Sequence, residues 1–239
     1  MKNLSSLLVE KTPKYDITIP SSKIETRFRP FLVKEEKILL IAQNTQSKKD
    51  IMYAIKDIIE SCVDDIKDAY DLPIFDIEYL FVKIRSKSVG EEVNPVIVCP
   101  TTGENITCNV NLDDLDLKRS KDHTSKVKLD TDLIVTMKYP SIRTLEKFGG
   151  DIDTKNTSEF YDMIVHCIDS VQTPEETIKA EDTSIEELKE FVDTMTKKQF
   201  DSLLEFFVTS PRLEHTINYQ TSDGTDRSIT LSGLGDFFG

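Results

Sequence analysis

The sequence predicts an α+β protein: an N-terminal β segment, a central helix pair with an inserted β hairpin, and C-terminal helices ending in a β hairpin. Three observations predict it. Ile51, Ile55, Ile58, Cys62 and Ile66 recur at helical spacing with Lys, Asp and Glu between them. Ile106, Cys108, Val110 and Leu112 alternate with polar residues, as do Leu133, Val135, Met137 and Tyr139, the period of a half-buried strand. Thr183 with Glu186, and Thr196 with Gln199, repeat the Ser/Thr-x-x-Glu/Gln signature of a helix start. Segment boundaries follow at 1–45, 46–140 and 141–239.

In chain order, Tyr15, Ile17 and Ile19 alternate up to Pro20, and Lys37 to Ala42 is a short apolar run. The first forty residues therefore read as two or three strands. A helix of about five turns follows from Ser47 to Ile66. After Asp71-Leu-Pro, a second helix from Asp76 to Ser88 turns Ile77, Leu80, Phe81 and Ile84 inward and stops before Gly90. This helix is apolar on nearly every side, so it should be buried on more than one face. Val96 to Cys99, a turn with Gly103, and the alternating run to Leu112 form the hairpin. Asp113 to Asp130 is charged and poor in large apolar groups, and reads as a loop. Leu133 to Tyr139 is a strand ended by Pro140.

Phe160, Met163, Ile164, Cys167, Ile168 and Val171 make one helical stripe. An acidic linker spans 172–182, and the two capping signatures start two further helices, the second stopped by Pro211. Ile217 and Tyr219, the turn pair Asp223-Gly224, and Ile229 and Leu231 make a terminal hairpin.

The 239 residues carry 43 acidic and 30 basic side chains, a net charge of −13. Binding to a nucleic-acid backbone needs the opposite excess, so no nucleic-acid partner is expected. No apolar run approaches the length of a membrane span, so no membrane partner is expected either. The four cysteines are too few and scattered for a disulfide framework, and Cys62 and Cys167 fall on apolar helical stripes.

Chemistry is hard to find. The three histidines, His123, His166 and His215, form no His-x-x-x-His pair, and there is no Cys-x-x-Cys. Cys99 and Cys108 flank a turn but supply only half a tetrahedral site. Gly149-Gly150 stands alone and Gly233-x-Gly235 leads to the terminus and not to a helix, so neither reads as a phosphate cradle. There is no Gly-x-Ser-x-Gly elbow and no Asp-x-Asp-x-Asp-Gly calcium loop. The expectation is no enzyme, no catalytic or metal residue and no cofactor. What stands out is a basic cluster, Lys83, Arg85 and Lys87, within an acidic chain, and an apolar end, Leu234, Phe237 and Phe238. The cluster complements a helix dipole or offers a contact to an acidic partner. The apolar end either folds back on its own hairpin or enters a partner's groove. These six are the candidate partner-binding residues.

The stretch FDIEYLFVKIRSKSVGEE from Phe75, the hairpin VIVCPTTGENITCNVNLDDL from Val96, and the ending FFVTSPRLEHTINYQTSDGTDRSITLSGLGDFFG resemble the baseplate hub assembly family of T-even-type contractile-tailed bacteriophages. The resemblance runs from about residue 15 to 239. It implies a non-enzymatic morphogenesis protein that promotes assembly of the central baseplate hub in the host cytoplasm, with hub or tail proteins as partners. The alternatives are a permanent hub subunit in the virion, or a small enzyme with an unrecognised site. Some members of that family carry Cys-x-x-Cys pairs in their hairpins. Here position 102 is Thr and the last hairpin has no cysteine, so the resemblance implies no metal.

Overall fold

A computed structural model describes residue 8, residues 11–148 and residues 157–238. It divides into two compact units: residues 1–118 with 212–239, and residues 119–211. The Gly149-Gly150 pair lies outside the described residues.

The first unit opens with β1 (Tyr15–Thr18) paired antiparallel to β2 (Glu25–Phe28). Helix α1 (Val33–Thr45) follows, then α2 (Lys48–Cys62) and α3 (Ile74–Val89). The Lys37–Ala42 run expected as a strand is the second half of α1. A run of six apolar and basic residues carries neither period clearly, and length alone arbitrates. Ser47 caps α2 by accepting the Asp50 N–H at 3.2 Å. That helix ends at Cys62, about a turn short of Ile66, because β2 captures the backbone beyond it. Arg29 N–H donates to the Cys62 carbonyl at 3.0 Å and Asp64 N–H to the Arg27 carbonyl at 2.9 Å. Helix α3 starts after Pro73, where a missing N–H is harmless. Phe75, Ile77, Leu80, Phe81, Val82 and Ile84 are all buried, so the helix is enclosed on more than one face as expected.

Then come β3 (Glu92–Val93), β4 (Val96–Val98), β5 (Asn105–Thr107) and β6 (Val110–Asn111). β4 pairs with β5 in register Val96↔Thr107, and β3 pairs with β6. A 3₁₀ turn at Leu112–Asp114 leads to β7 (Leu117–Lys118). The stretch from Asp113 to Asp130, expected as a loop, is one over residues 119–125 but holds short elements on either side. Its few apolar groups all point inward: Leu115 is fully buried and Val127 is buried.

The second unit contains β8 (Lys126–Lys128), β9 (Ile134–Met137), α4 (Ile142–Glu146), α5 (Thr157–His166), β10 (Ile168–Gln172), β11 (Thr177–Lys179), α6 (Ile185–Asp193) and α7 (Lys197–Thr209). Its antiparallel sheet has the order β11-β10-β9-β8. The stripe from Phe160 to Val171 is a helix only to His166. Ile168 and Val171 instead pair with Met137 and Val135 of β9, with an irregularity in register between 168 and 170. The linker at 172–182 also holds β11 and a 3₁₀ turn. The first capping residue is Ser184 and not Thr183, its Oγ accepting the Glu187 N–H at 3.2 Å. At Thr196 the reciprocal cap with Gln199 forms as expected.

The chain then re-enters the first unit as β12 (Arg212–Gln220), paired to β7 on one side and to β13 (Asp226–Ser232) on the other, and ends in α8 (Gly233–Phe238). The five-residue loop between β12 and β13 holds Gly224 at φ 78°, a conformation only glycine adopts without strain. Val82, Val110, Leu112, Leu115, Leu213, Leu231 and Phe237 share one core in this unit. Met163, Ile164, Cys167, Ile168, Leu203 and Phe206 belong to the core of the other. No helix among the described residues is long and apolar enough to cross a membrane.

Candidate protein-binding surface

The basic cluster on α3 separates into two jobs. Lys83 donates to the carbonyls of Asp113 at 2.9 Å and Leu115 at 2.8 Å, and its ammonium lies 5.5 Å from the Tyr79 ring centre. Burial holds its pKa below the ordinary lysine value, against the pull of Asp113 and Asp116. Lys87 pairs with Asp113 at 2.6 Å and Glu91 at 2.7 Å, and the Asp113 hydrogen bond foremost holds it above the ordinary lysine range. Ser86 Oγ donates to the same Asp113 carboxylate at 2.6 Å. These residues fasten the 3₁₀ turn at Leu112–Asp114 to α3. Arg85 faces elsewhere: its Nη1 donates to the Gly90 carbonyl at 2.9 Å, and its guanidinium lies 5.4 Å from the Phe238 ring centre.

The terminal helix is docked. Phe237 is buried in the core of the first unit, and Phe238 meets Phe81 edge-on with ring centres 5.9 Å apart. Gly233 starts α8 at φ 70°, and a Cβ there would come within 2.9 Å of Glu78 Oε1. Glu78 accepts a hydrogen bond from the Leu234 amide, while burial pushes its pKa up to about 7.

Three of the six candidates meet at one groove. Arg85 of α3 with Leu234 and Phe238 of α8 line a cleft of about 700 Å³. Its other walls are Leu39 and Leu40 of α1, Ile51 and Ile55 of α2, and Phe81 and Val89 of α3. The α1 wall is not legible in the Lys37–Ala42 run, which reads equally as a strand. Val33, Leu40 and Ile41, spaced by seven and eight residues, were the available signal. Lys83, Lys87 and Phe237 lie outside the groove lining.

The groups that could bear chemistry are occupied structurally. Cys99 N–H bonds the Glu104 carbonyl and Cys108 N–H bonds the Pro95 carbonyl, so these two residues sit at opposite ends of the β4–β5 ladder. Hydrogen bonds from Thr102 and Tyr219, the latter at 3.3 Å, hold the Cys99 thiol down to about 6. No group of three His, Cys, Asp or Glu side chains able to hold a metal gathers among the described residues. His123, expected in an open loop, is buried between Thr209 Oγ1 at 2.9 Å and Tyr139 Oη at 2.7 Å. The Thr209 hydroxyl donates to the Glu205 carbonyl at 2.7 Å, so it accepts from Nδ1–H, and Tyr139 donates to Nε2. In the neutral ring this is the Nδ1–H tautomer, which burial favours by lowering the His123 pKa, and the residue packs the core.

Compared with known proteins, residues 12–239 match the family described as T4 bacteriophage base plate protein. The chain is 24% identical over 226 residues to the baseplate hub assembly protein gp26 of Enterobacteria phage T4, covering 94% of this chain and 97% of that protein. No solved structure matches.

Proposed function

The chain belongs to the T4 bacteriophage base plate protein family, and on that premise we propose that it is a non-enzymatic binding protein that promotes assembly of the central baseplate hub. Near end-to-end alignment with a hub assembly protein, over 94% of this chain and 97% of that protein, carries this reading. The groove walled by α1, α2, α3 and α8 supports it as a contact surface: its lining is mostly apolar, with Arg85, Glu36 and two glutamines among the leucines, isoleucines and phenylalanines. Its partners are hub or tail proteins of the same virus, met in the host cell where the tail is built.

The test is co-purification of the full chain with each hub and tail protein of the same genome, joined to mass spectrometry of purified mature particles. Binding to a hub protein with absence from the particle is the expected result. Stoichiometric presence in the particle would make the protein a permanent subunit instead. Binding to none of them would overturn the reading.

A further inference from the structure

Helix α1 is built inside out. At 3.6 residues per turn, Val33, Lys37, Leu40, Ile41 and Asn44 fall along one side, and that side faces solvent. Val33 is 79% exposed, Leu40 54% and Ile41 56%, while on the opposite side Glu35 is 2% exposed and Ala42 is buried. Scattered exposed apolar residues are ordinary. Three aligned on one helix, next to the 58% exposed Val89 and continuous through Leu40 with the groove, make a patch.

The charge around the patch selects its occupant. Residues 33–50 hold Lys34, Lys37, Lys48 and Lys49 against Glu35, Glu36 and Asp50, in a chain with 43 acidic and 30 basic residues. Glu35 is already neutralised by Arg29 at 2.8 Å and Lys34 at 3.2 Å. Lys37 stands in the middle of the stripe and makes no ion pair among the described residues. A second copy docking through the same face would bring another Lys37 to it and no carboxylate from that stripe.

We propose that the outward face of α1 docks an amphipathic helix with acidic flanks from another baseplate protein. Val33 to Asn44 spans about 17 Å along the axis, room for three turns of a partner helix. The partner's apolar residues cover Leu40 and Ile41, and its carboxylates meet Lys37. The partner's identity rests on the baseplate reading above; the position of the surface does not.

The experiment measures binding of the full chain to each purified baseplate protein of the same genome, for the native sequence, Ile41→Asp, Lys37→Glu and Lys198→Glu. Ile41 and Lys37 are exposed, so these variants should melt at the native temperature. Ile41→Asp should weaken one binding pair at least tenfold. Lys37→Glu should weaken it several-fold and flatten its salt dependence, and Lys198→Glu on α7 should leave it unchanged. If a baseplate protein binds all four chains equally, the α1 assignment is wrong while the functional reading stands. Should no baseplate protein bind, that reading falls and the partner named here falls with it. Self-association that Ile41→Asp abolishes, seen by sedimentation, would replace the foreign helix by a second copy.

Discussion

Helices α1 and α2 pack on each other and are consecutive in sequence, yet they solve opposite problems. Helix α2 turns Ala54, Ile55, Ile58, Ile59 and Cys62 inward, and its buried Lys56 is bonded to Glu60 of the same helix at 2.9 Å. Helix α1 buries a glutamate and leaves Val33, Leu40 and Ile41 in water. Its attachment is partly ionic: beside the buried Ala42, Glu35 accepts a hydrogen bond from Arg29 at 2.8 Å, and its other oxygen caps the helix by accepting from the Leu32 amide at 2.8 Å. A helix held by its apolar face turns most of that face to the core. One held by a buried ion pair can leave apolar surface uncovered, and the contrast marks α1 as the contact element.

The strongest way to break this contrast is to truncate α2. Ile58 and Ile59 are fully buried, so Ile58→Ala should destabilise the protein by about 2–5 kcal/mol in urea unfolding. A change near zero would mean that α2 is no better anchored than α1. The buried ion pair comes next. Glu35→Ala strands Arg29, whose side chain is only 12% exposed, and should destabilise by about 3–5 kcal/mol at most. The double variant Arg29→Met, Glu35→Leu should recover most of that loss, since replacing both charges removes their desolvation. Failure to recover would show that the pair's geometry, and not its neutrality, holds α1.

Acidity sharpens the same comparison. Burial raises the Glu35 pKa, but the Arg29 hydrogen bond, the Leu32 amide and Lys34 together bring it below its ordinary 4.5. The unfolded chain therefore takes up this proton first as pH falls. The stability Glu35 contributes is present above pH 4.5 and is lost as pH drops through its folded value. The double variant should flatten that acid limb of melting temperature against pH. Glu78, under α8, has the opposite sign: folded at about 7 against an ordinary 4.5, it favours folding most below pH 4.5 and loses that contribution as pH rises through 7. Glu78→Gln should abolish this decline in a melting series from pH 5 to 8. The smallest effect belongs to the outer face of α1. Val33→Ala should change stability by less than about 0.5 kcal/mol, because its side chain contacts mostly water.

The sequence alone determined the elements whose signals were local. The periodicity of α2 and α3, the Thr196–Gln199 cap, the strand at Leu133–Tyr139 and the terminal hairpin were legible because a helix face, a capping hydroxyl or a period of two is written within a few neighbouring residues. The candidate site was half legible. Arg85, Leu234 and Phe238 could be singled out by charge and by position, but nothing in the order of residues says that they share a wall with Leu39 and Leu40. Tertiary structure decided what depended on distant partners. The helix expected to run to Val171 gives way to β10 because β9, some thirty residues earlier, supplies an edge that needs hydrogen bonds. Lys87 became a clamp on Asp113 instead of a free cation. Most of all, the apolar stripe of α1 points outward because a glutamate occupies its inner face. A buried charge is tolerable only when a partner from elsewhere in the chain neutralises it, and that partner is Arg29, placed by the β1–β2 pair.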